Sequence, residues 1–457
     1  MTEIEQAKKY PGLYVFFYLI SFDNITNMDK LLKSFFGACI LLSSVNAEIV
    51  AQDDINIVKK RVIEEIMQPN VDDSEITQLV KSIREDGTWP GINYEDVSRT
   101  AFEHRYHLSN MVYLARSYKT KESEYYKNRK VKKTIESALK NWVENDYFCD
   151  NWWHNQIGTP GNLVTLMLVI GNELDKELIE KAQPIIKRAH VDAPGARPGG
   201  DRIKIAGIQA KNMLFLGDAE TFDTVIRVIE NEIKYVEWIG MHFGYTYRSF
   251  EGGFSNRSTA GRGIQYDNSF HHRTDGVNNT LSYGRGYASA FIEWAVYVRN
   301  TKYTFSEDKI RHLIDYFLDG ICKTAVFGKY PDAGAKNRSF SRPGALHPFS
   351  SEPAEKLLLT TTYREKEIEE IAAIRDKGKN PTLSHATFYW HSEHFTFQRL
   401  EFFASVRMYS TRNHNMEQPY NREGLLNHHR GDGANHISLS GTEYADIAPV
   451  FDYQKVP

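Results

Sequence analysis

The hydrophobic period of the chain changes once, and that change constrains the fold more than any other feature. Val131, Ile135, Leu139 and Trp142 fall on one helical stripe within residues 124–144. Phe222, Val225, Ile229, Ile233 and Val236 do the same within 219–237, and Ile310, Leu313, Ile314, Phe317 and Ile321 within 307–322. Each stripe predicts an amphipathic helix. Ser306, followed by Glu307 and Asp308, reads as a helix start, because a serine side chain accepts orphan N–H bonds and acidic residues suit the dipole. From about Thr387 the stripes stop. Phe395-Thr396-Phe397 and the run Ala404 to Tyr409 alternate instead, with aromatic enrichment, as strands do. An all-α region therefore gives way to β structure, with the charged stretch Arg364 to Lys379 the nearest candidate for a boundary. A chain of 457 residues, 41% hydrophobic, can bury a large core and exceeds one domain.

Three polar and aromatic clusters interrupt these elements. The first is residues 151–162, where Trp152 and Trp153 point in different directions on any regular backbone and so resist joint burial. An indole face packs well on the C–H face of a pyranose, which makes the pair a sugar platform; the alternative is one core and one rim tryptophan in a helix-start loop containing Gly158 and Pro160. The second, residues 267–287, gathers His271, His272, Arg273, Tyr283, Arg285 and Tyr287 around Gly276, Gly284 and Gly286. Histidine exchanges protons near neutral pH and tyrosine does so in a perturbed environment, so this density reads as a site rather than a loop in which one histidine bonds a carbonyl. In the third, Lys336 to Pro343, Arg338 and Arg342 stand four apart, and guanidinium forks converge on carboxylate or sulfate. Glu417 to Glu423 follow much later.

Taken in order, these segments resemble polysaccharide lyase family 8, the hyaluronate, chondroitin and xanthan lyases. Asp86-Gly87-Thr88-Trp89 with Ile92-Asn93-Tyr94, Ser98-Arg99 and His107-Leu108 is similar to the family's opening signature, and Asn151 to Asn155 to its aromatic patch. Tyr283-Gly284 after Asp267 to His272 is similar to its catalytic segment, Arg338 and Arg342 to its arginine pair, Ser405 to Ser410 to its first β region, and Ile447 to Asp452 to a late strand. The likeness covers roughly residues 80–457. It implies an incomplete α/α toroid as catalytic domain over 48–385 and the first part of an antiparallel β-sandwich domain over 386–457.

The resemblance also implies a reaction: β-elimination from a uronate, in which a proton leaves C5 and the O4 bond breaks, giving an unsaturated uronate end. Donors that neutralise the sugar carboxylate are worth roughly 3 kcal/mol each in such a transition state. By this analogy Tyr283 protonates the leaving oxygen and, with His272, takes the C5 proton. Arg338 assists the tyrosine, Glu417 orients one of them, Arg342 binds the sugar acid or a sulfate, and Trp152 and Trp153 fix register, with Asn155 and His271 also on the substrate. No metal or organic cofactor is needed. Two departures stand out. The family has an asparagine in a Gly-rich turn where Pro198-Gly199-Gly200-Asp201-Arg202 offers Asp201, and an ionised aspartate repels a uronate. Either Asp201 is protonated, or Arg202 or another donor takes over, or Arg197 contacts the sugar. The spacing to Tyr283 is also longer than the family's, which leaves His271 and His272 as rivals, His272 lying nearer the register.

A net charge of -3 gives no global attraction for a polyanion, so attraction must be local, from Arg257, Arg262, Arg273, Arg285, Arg338 and Arg342. Lys127 to Lys133 fall on a helix pattern as a solvated face, and nothing indicates nucleic acid. His385, His391 and His394 are either a metal trio or ordinary hydrogen-bonding groups; His-Glu-x-x-His is absent. From Met28, Lys30 and Lys33, the apolar stretch Leu31 to Leu42 and Val45-Asn46-Ala47 read as a signal peptide over 28–47, hence a secreted or periplasmic protein. Residues 1–27 then read as a spurious extension, and their apolar run Tyr14 to Ile20 is too short to span a bilayer. Cys39 lies in the signal, which leaves Cys149 and Cys322 for one disulfide. A monomer without stable membrane insertion is expected. Asp446 to Pro457 read as the start of a sheet that continues, so a fragment is expected too. The rival functions are an α/α-toroid glycoside hydrolase using carboxylates among Glu251, Asp267 and Glu417, and a degenerate lyase that holds glycan without cutting it.

Overall fold

The structure, a computed structural model, describes residues 53–99, 102–236, 247–248, 254–255, 261–273, 275–376, 382–410, 413–417, 423–424 and 428–445. The signal segment, Cys39, Glu251, Arg257 and the late strand Ile447 to Asp452 lie outside them. The chain divides into residues 1–57, of which 53–57 are described, as helix, and residues 58–457, which carry everything below.

Helices of the second unit pack in two layers. His104–Lys119 lies against Thr159–Ile170, that helix against Gly200–Leu216, and Gly200–Leu216 against Arg285–Val298. Arg129–Asn145, Lys176–Ile186 and Ala219–Glu232 cover this series from outside, which makes an incomplete α/α toroid. The layers explain their own compositions. Thr159–Ile170 is covered on both sides and is apolar almost all round, with Leu163, Val164 and every residue from Leu166 to Ile170 buried. The outer helices show the stripes read from sequence, and Val131, Ile135, Leu139, Trp142, Phe222, Val225 and Ile229 are all buried.

Three local expectations are corrected. Ser306 occupies the cap of Glu307–Asp315, but its side chain makes no capping bond; its backbone N–H donates to Glu230 at 2.6 Å. The charged stretch after Arg364 is no linker, because Glu365–Asp376 is a helix with Ile368, Ile371 and Ile374 buried. Cys149 and Cys322 are free thiols, the first donating to the Ser98 carbonyl at 2.9 Å and the second accepting from Arg375 at 3.3 Å. The helix start read around Gly158 and Pro160 is present: Pro160 sits in the first turn, where its missing N–H costs nothing.

The sheet runs β1 (His385–Tyr389), β2 (His394–Gln398), β3 (Phe403–Arg407) and β4 (Ala434–Ser438), antiparallel and in that order. Register pairs His385 with Gln398 and Tyr389 with His394, so two of the three candidate metal histidines sit at opposite ends of one ladder. The buried face is unusual, because it is largely polar. His394 bonds Asp332 at 3.0 Å, Ser405 donates to the same carboxylate at 2.9 Å, and Arg407 donates to Gly334 O at 2.8 Å and to the Asn337 side chain. These bonds pin the segment from Asp332 to the 3₁₀ turn Asn337–Ser341, and Arg338 stands on that turn.

Candidate active site

Two π-helical turns project the aromatic groups into one cavity. His154–Gly158 runs into Thr159–Ile170 and follows Trp152 and Trp153; Thr280–Gly284 runs into Arg285–Val298 and carries Tyr283. The wider ring of a π turn shifts the side chains before it out of the register of the helix that follows, a device common at functional sites. Trp153 is 38% exposed. Trp152 lies against Gly195, where an added Cβ would stand 2.5 Å from the indole, so the platform requires that glycine.

Tyr283 is held from two sides. Its ring stacks on His272, with centroids 3.5 Å apart and planes 4° from parallel, and its hydroxyl accepts from the Arg338 guanidinium. Arg338 is itself fixed: Nε donates to Glu417 at 3.1 Å, its backbone N–H to the other Glu417 oxygen at 3.2 Å, and Nη1 to Glu423 at 3.3 Å. Arg273 shares Glu417 at 3.0 Å, and Arg342 grips Glu423 with two bonds of 2.5 and 2.8 Å. Glu417 is thus a buried carboxylate with both oxygens engaged. Burial first, then Arg273, Arg262, Arg197 and Arg338, push the His272 imidazole down to about 2, so it is neutral across the working pH range.

The cavity has a volume of about 870 Å³. Among the described residues, Arg99, Arg197, Lys204, Arg262, Arg273, Arg285, Lys336, Arg338 and Arg342 line it, with the carboxylates of Asp201 and Glu417. A chain that is slightly acidic overall therefore presents a strongly cationic pocket, which concentrates field where an anionic ligand sits.

Of the residues singled out from sequence, Trp152, Trp153, Asp201, His272, Tyr283, Arg338, Arg342 and Glu417 all line this cavity. Three others are placed elsewhere. His271 is fully buried in its hairpin, bonded to Ser392 at 2.9 Å, and burial, with His391, holds it down to about 3. Asn155 spends its amide on the backbone of Cys149, accepting at 3.0 Å and donating at 2.8 Å. Arg202 turns to the Ala196 carbonyl at 3.1 Å and to Glu232 at 3.4 Å. Successive strand residues face opposite ways, which separates His271 from His272; sequence could not phase them. Asp201 has a partner within the chain. Arg197, whose guanidinium lies 4.5 Å over the Trp152 ring, pairs with it at 3.2 Å, so a cation beside the platform screens the aspartate. Lys336 and Glu423 stood in the clusters read from sequence without a role, although a charged residue beside a paired-arginine motif was the available signal.

Among the described residues no group of three or more His, Cys, Asp and Glu could hold a metal, and no helix is long and apolar enough to cross a membrane.

Comparison with known proteins gives two family models and several solved structures. The model for "Polysaccharide lyase family 8, N terminal alpha-helical domain" matches residues 49–243, and that for the "super-sandwich domain" of the same family matches 384–457. A chondroitinase-AC of Pedobacter heparinus is 26% identical over 441 residues, 93% of this chain and 59% of the relative, so the chain spans about six tenths of that protein's length. A chondroitinase AC lyase solved in enzyme–oligosaccharide complexes superposes with a TM-score of 0.76 at 25% identity, covering 88% of this chain and 57% of that one. The Streptomyces coelicolor A3 chondroitin AC lyase in complex with chondroitin sulphate gives 0.68 at 14% identity (89% and 60% covered), and a Paenibacillus xanthan lyase 0.63 at 16% (87% and 41%); these two share the fold.

Proposed function

We propose that this chain, which belongs to polysaccharide lyase family 8, cleaves a uronic-acid polysaccharide of the hyaluronan or chondroitin type by β-elimination. The observation that carries this reading is the Tyr283 hydroxyl, held by Arg338 and backed by His272 in a pocket where cations far outnumber carboxylates. Removing the C5 proton of a uronate places negative charge next to an existing carboxylate. Arg262 lines the cavity to neutralise that carboxylate, with Arg197 and Arg273 beside it on their own carboxylates, and such fixed charges act most strongly on the charge that develops in the transition state.

Tyr283 is the better proton carrier. Its hydroxyl opens on the cavity with a guanidinium held at its oxygen, whereas an imidazole lowered to about 2 by burial and the arginines is a poor base on its own. One phenolic oxygen beside both C5 and O4 takes the proton from the first as the C4–C5 double bond forms and returns it to the second as the O4 bond breaks. His272, neutral, bonds the uronate and stiffens the phenol. Trp152 and Trp153 supply the faces on which neighbouring sugars rest.

A glycoside hydrolase needs one carboxylic acid and one free carboxylate across the scissile bond. Glu417 has both oxygens bonded, Asp201 is paired with Arg197, and Asp267 accepts from Ser269 in its own hairpin turn with one oxygen and from the His391 backbone N–H with the other. None of these three offers such a pair; Glu251, the remaining candidate, lies outside the described residues. We further propose action outside the cytoplasm, on the strength of segment 28–47, and as a monomer, since one chain supplies the whole described lining. The test is a panel of uronate polysaccharides scored for the ultraviolet absorbance of unsaturated ends. Saturated products alone would reject elimination, and binding without turnover would favour the degenerate-lyase alternative.

A further inference from the structure

Two groups stand apart among the nine cations that line the cavity. Arg197, Arg273, Arg338 and Arg342 each face a carboxylate, from Asp201, Glu417 or Glu423. Lys336 and Arg285 line the same cavity and face no carboxylate among the described residues. Lys336 is only 7% exposed, and its ammonium, with three donors, reaches the Leu281 carbonyl at a long 3.4 Å. Arg285 opens the helix Arg285–Val298 with its guanidinium 3.8 Å over the Phe349 ring, and Ser289, one turn on, also lines the cavity. The charged groups that bear on Lys336 are Arg285 and Arg342, both cations. A desolvated ammonium between guanidinium groups is unfavourable until an anion joins it.

We infer that Lys336 and Arg285, with the Ser289 hydroxyl, form a second anion subsite of this cavity, which takes a sulfate ester or carboxylate on a sugar neighbouring the uronate at Tyr283. The inference rests on reading the cavity as a uronate-polysaccharide site. A polymer whose charges recur along the chain brings a second anion in with the first, and the unpaired cations are where that anion finds its counter-charge. Burial, then Arg285 and Arg342, lower the Lys336 ammonium to about 8, so an empty subsite sheds its proton just above neutrality and an arriving anion restores it.

Binding of size-matched uronate oligosaccharides, with and without sulfate esters, to the full chain tests this by calorimetry from about pH 7 to about pH 9, either side of the Lys336 value. Lys336→Gln and Arg285→Gln are each expected to weaken binding by about tenfold or more at the lower pH, the size of a lost charge-assisted bond. Loss confined to sulfated ligands assigns the subsite to sulfate; equal loss with both assigns it to a second carboxylate. Wild-type affinity should fall toward the higher pH, and Lys336→Arg should keep the affinity and lose that fall. Unchanged affinity in both neutral variants, with wild-type binding flat in pH, overturns the subsite. Ultraviolet absorbance read in parallel separates the two ideas, because absent elimination with intact sulfate-dependent binding rejects the activity and leaves the subsite standing.

Discussion

The helical layers and the sheet are held together by opposite means. The helices bury aliphatic side chains such as Leu139, Leu163 and Ile229, whereas the covered face of β2 and β3 buries His394, Thr396, Gln398, Ser405 and Arg407. Apolar contact depends on area and tolerates small sliding; hydrogen bonds depend on angle and do not. The difference teaches where orientation matters. The polar face holds the turn that aims Arg338 at Tyr283, while the helical layers hold the two π turns in place as a rigid frame.

The comparison can be broken or sharpened by experiment. Tyr283→Phe touches the junction of the two regions and removes only a hydroxyl, so a loss of roughly 10²–10⁴ in turnover with little change in melting temperature is expected; turnover at the wild-type rate would mean another group moves the proton. Leu139→Ala, in the outer helical layer, should cost about 2–5 kcal/mol of stability and leave the turnover of the folded fraction intact. Arg407→Met should do the reverse. It leaves the Gly334 carbonyl and the Asn337 side chain short of a donor, an expected cost of about 1–3 kcal/mol, and it should slow turnover by roughly tenfold or more by loosening Arg338. A larger kinetic effect from Leu139→Ala than from Arg407→Met would erase the distinction.

A pH effect on stability is expected to be smaller and to be spread over both regions. His107, His312 and His385 are each lowered to about 4 by burial above all, and His271 to about 3. A histidine lowered in the folded state contributes stability that is present above its ordinary value of 6.5 and is lost as pH falls toward the folded value. The melting temperature should therefore drop between about pH 6.5 and about pH 4. Asp275, raised to about 6 by burial, and Glu293, also raised by burial, oppose this against the larger number of histidines. The smallest effect is expected from Asp201→Asn, which frees Arg197 to face the uronate and should keep or modestly raise activity; complete loss would give that carboxylate a duty of its own.

Legibility followed burial. Outer helices, half-covered, wrote their stripes into residues 129–145 and 219–232, but Thr159–Ile170 and Arg285–Val298 are buried on both sides and show no stripe to read. The strands around Phe395 and Val406 alternated as half-covered strands do, yet nothing in that alternation said the covered face would be the polar one. At the site, residue types that carry chemistry were visible as clusters. Their directions were not, which is why Asn155, Arg202 and His271 turn away from the cavity while Arg197 and Lys336 turn into it.

Glu417 and Glu423 close on Arg338 and Arg342 from some eighty positions further along the chain. During synthesis the arginines emerge well before their clasp. A nascent or clipped polypeptide lacking that later segment leaves Arg338 without the grip that aims it at the phenol. One cut ahead of residue 417 should therefore disarm Arg338 while leaving the helical frame standing.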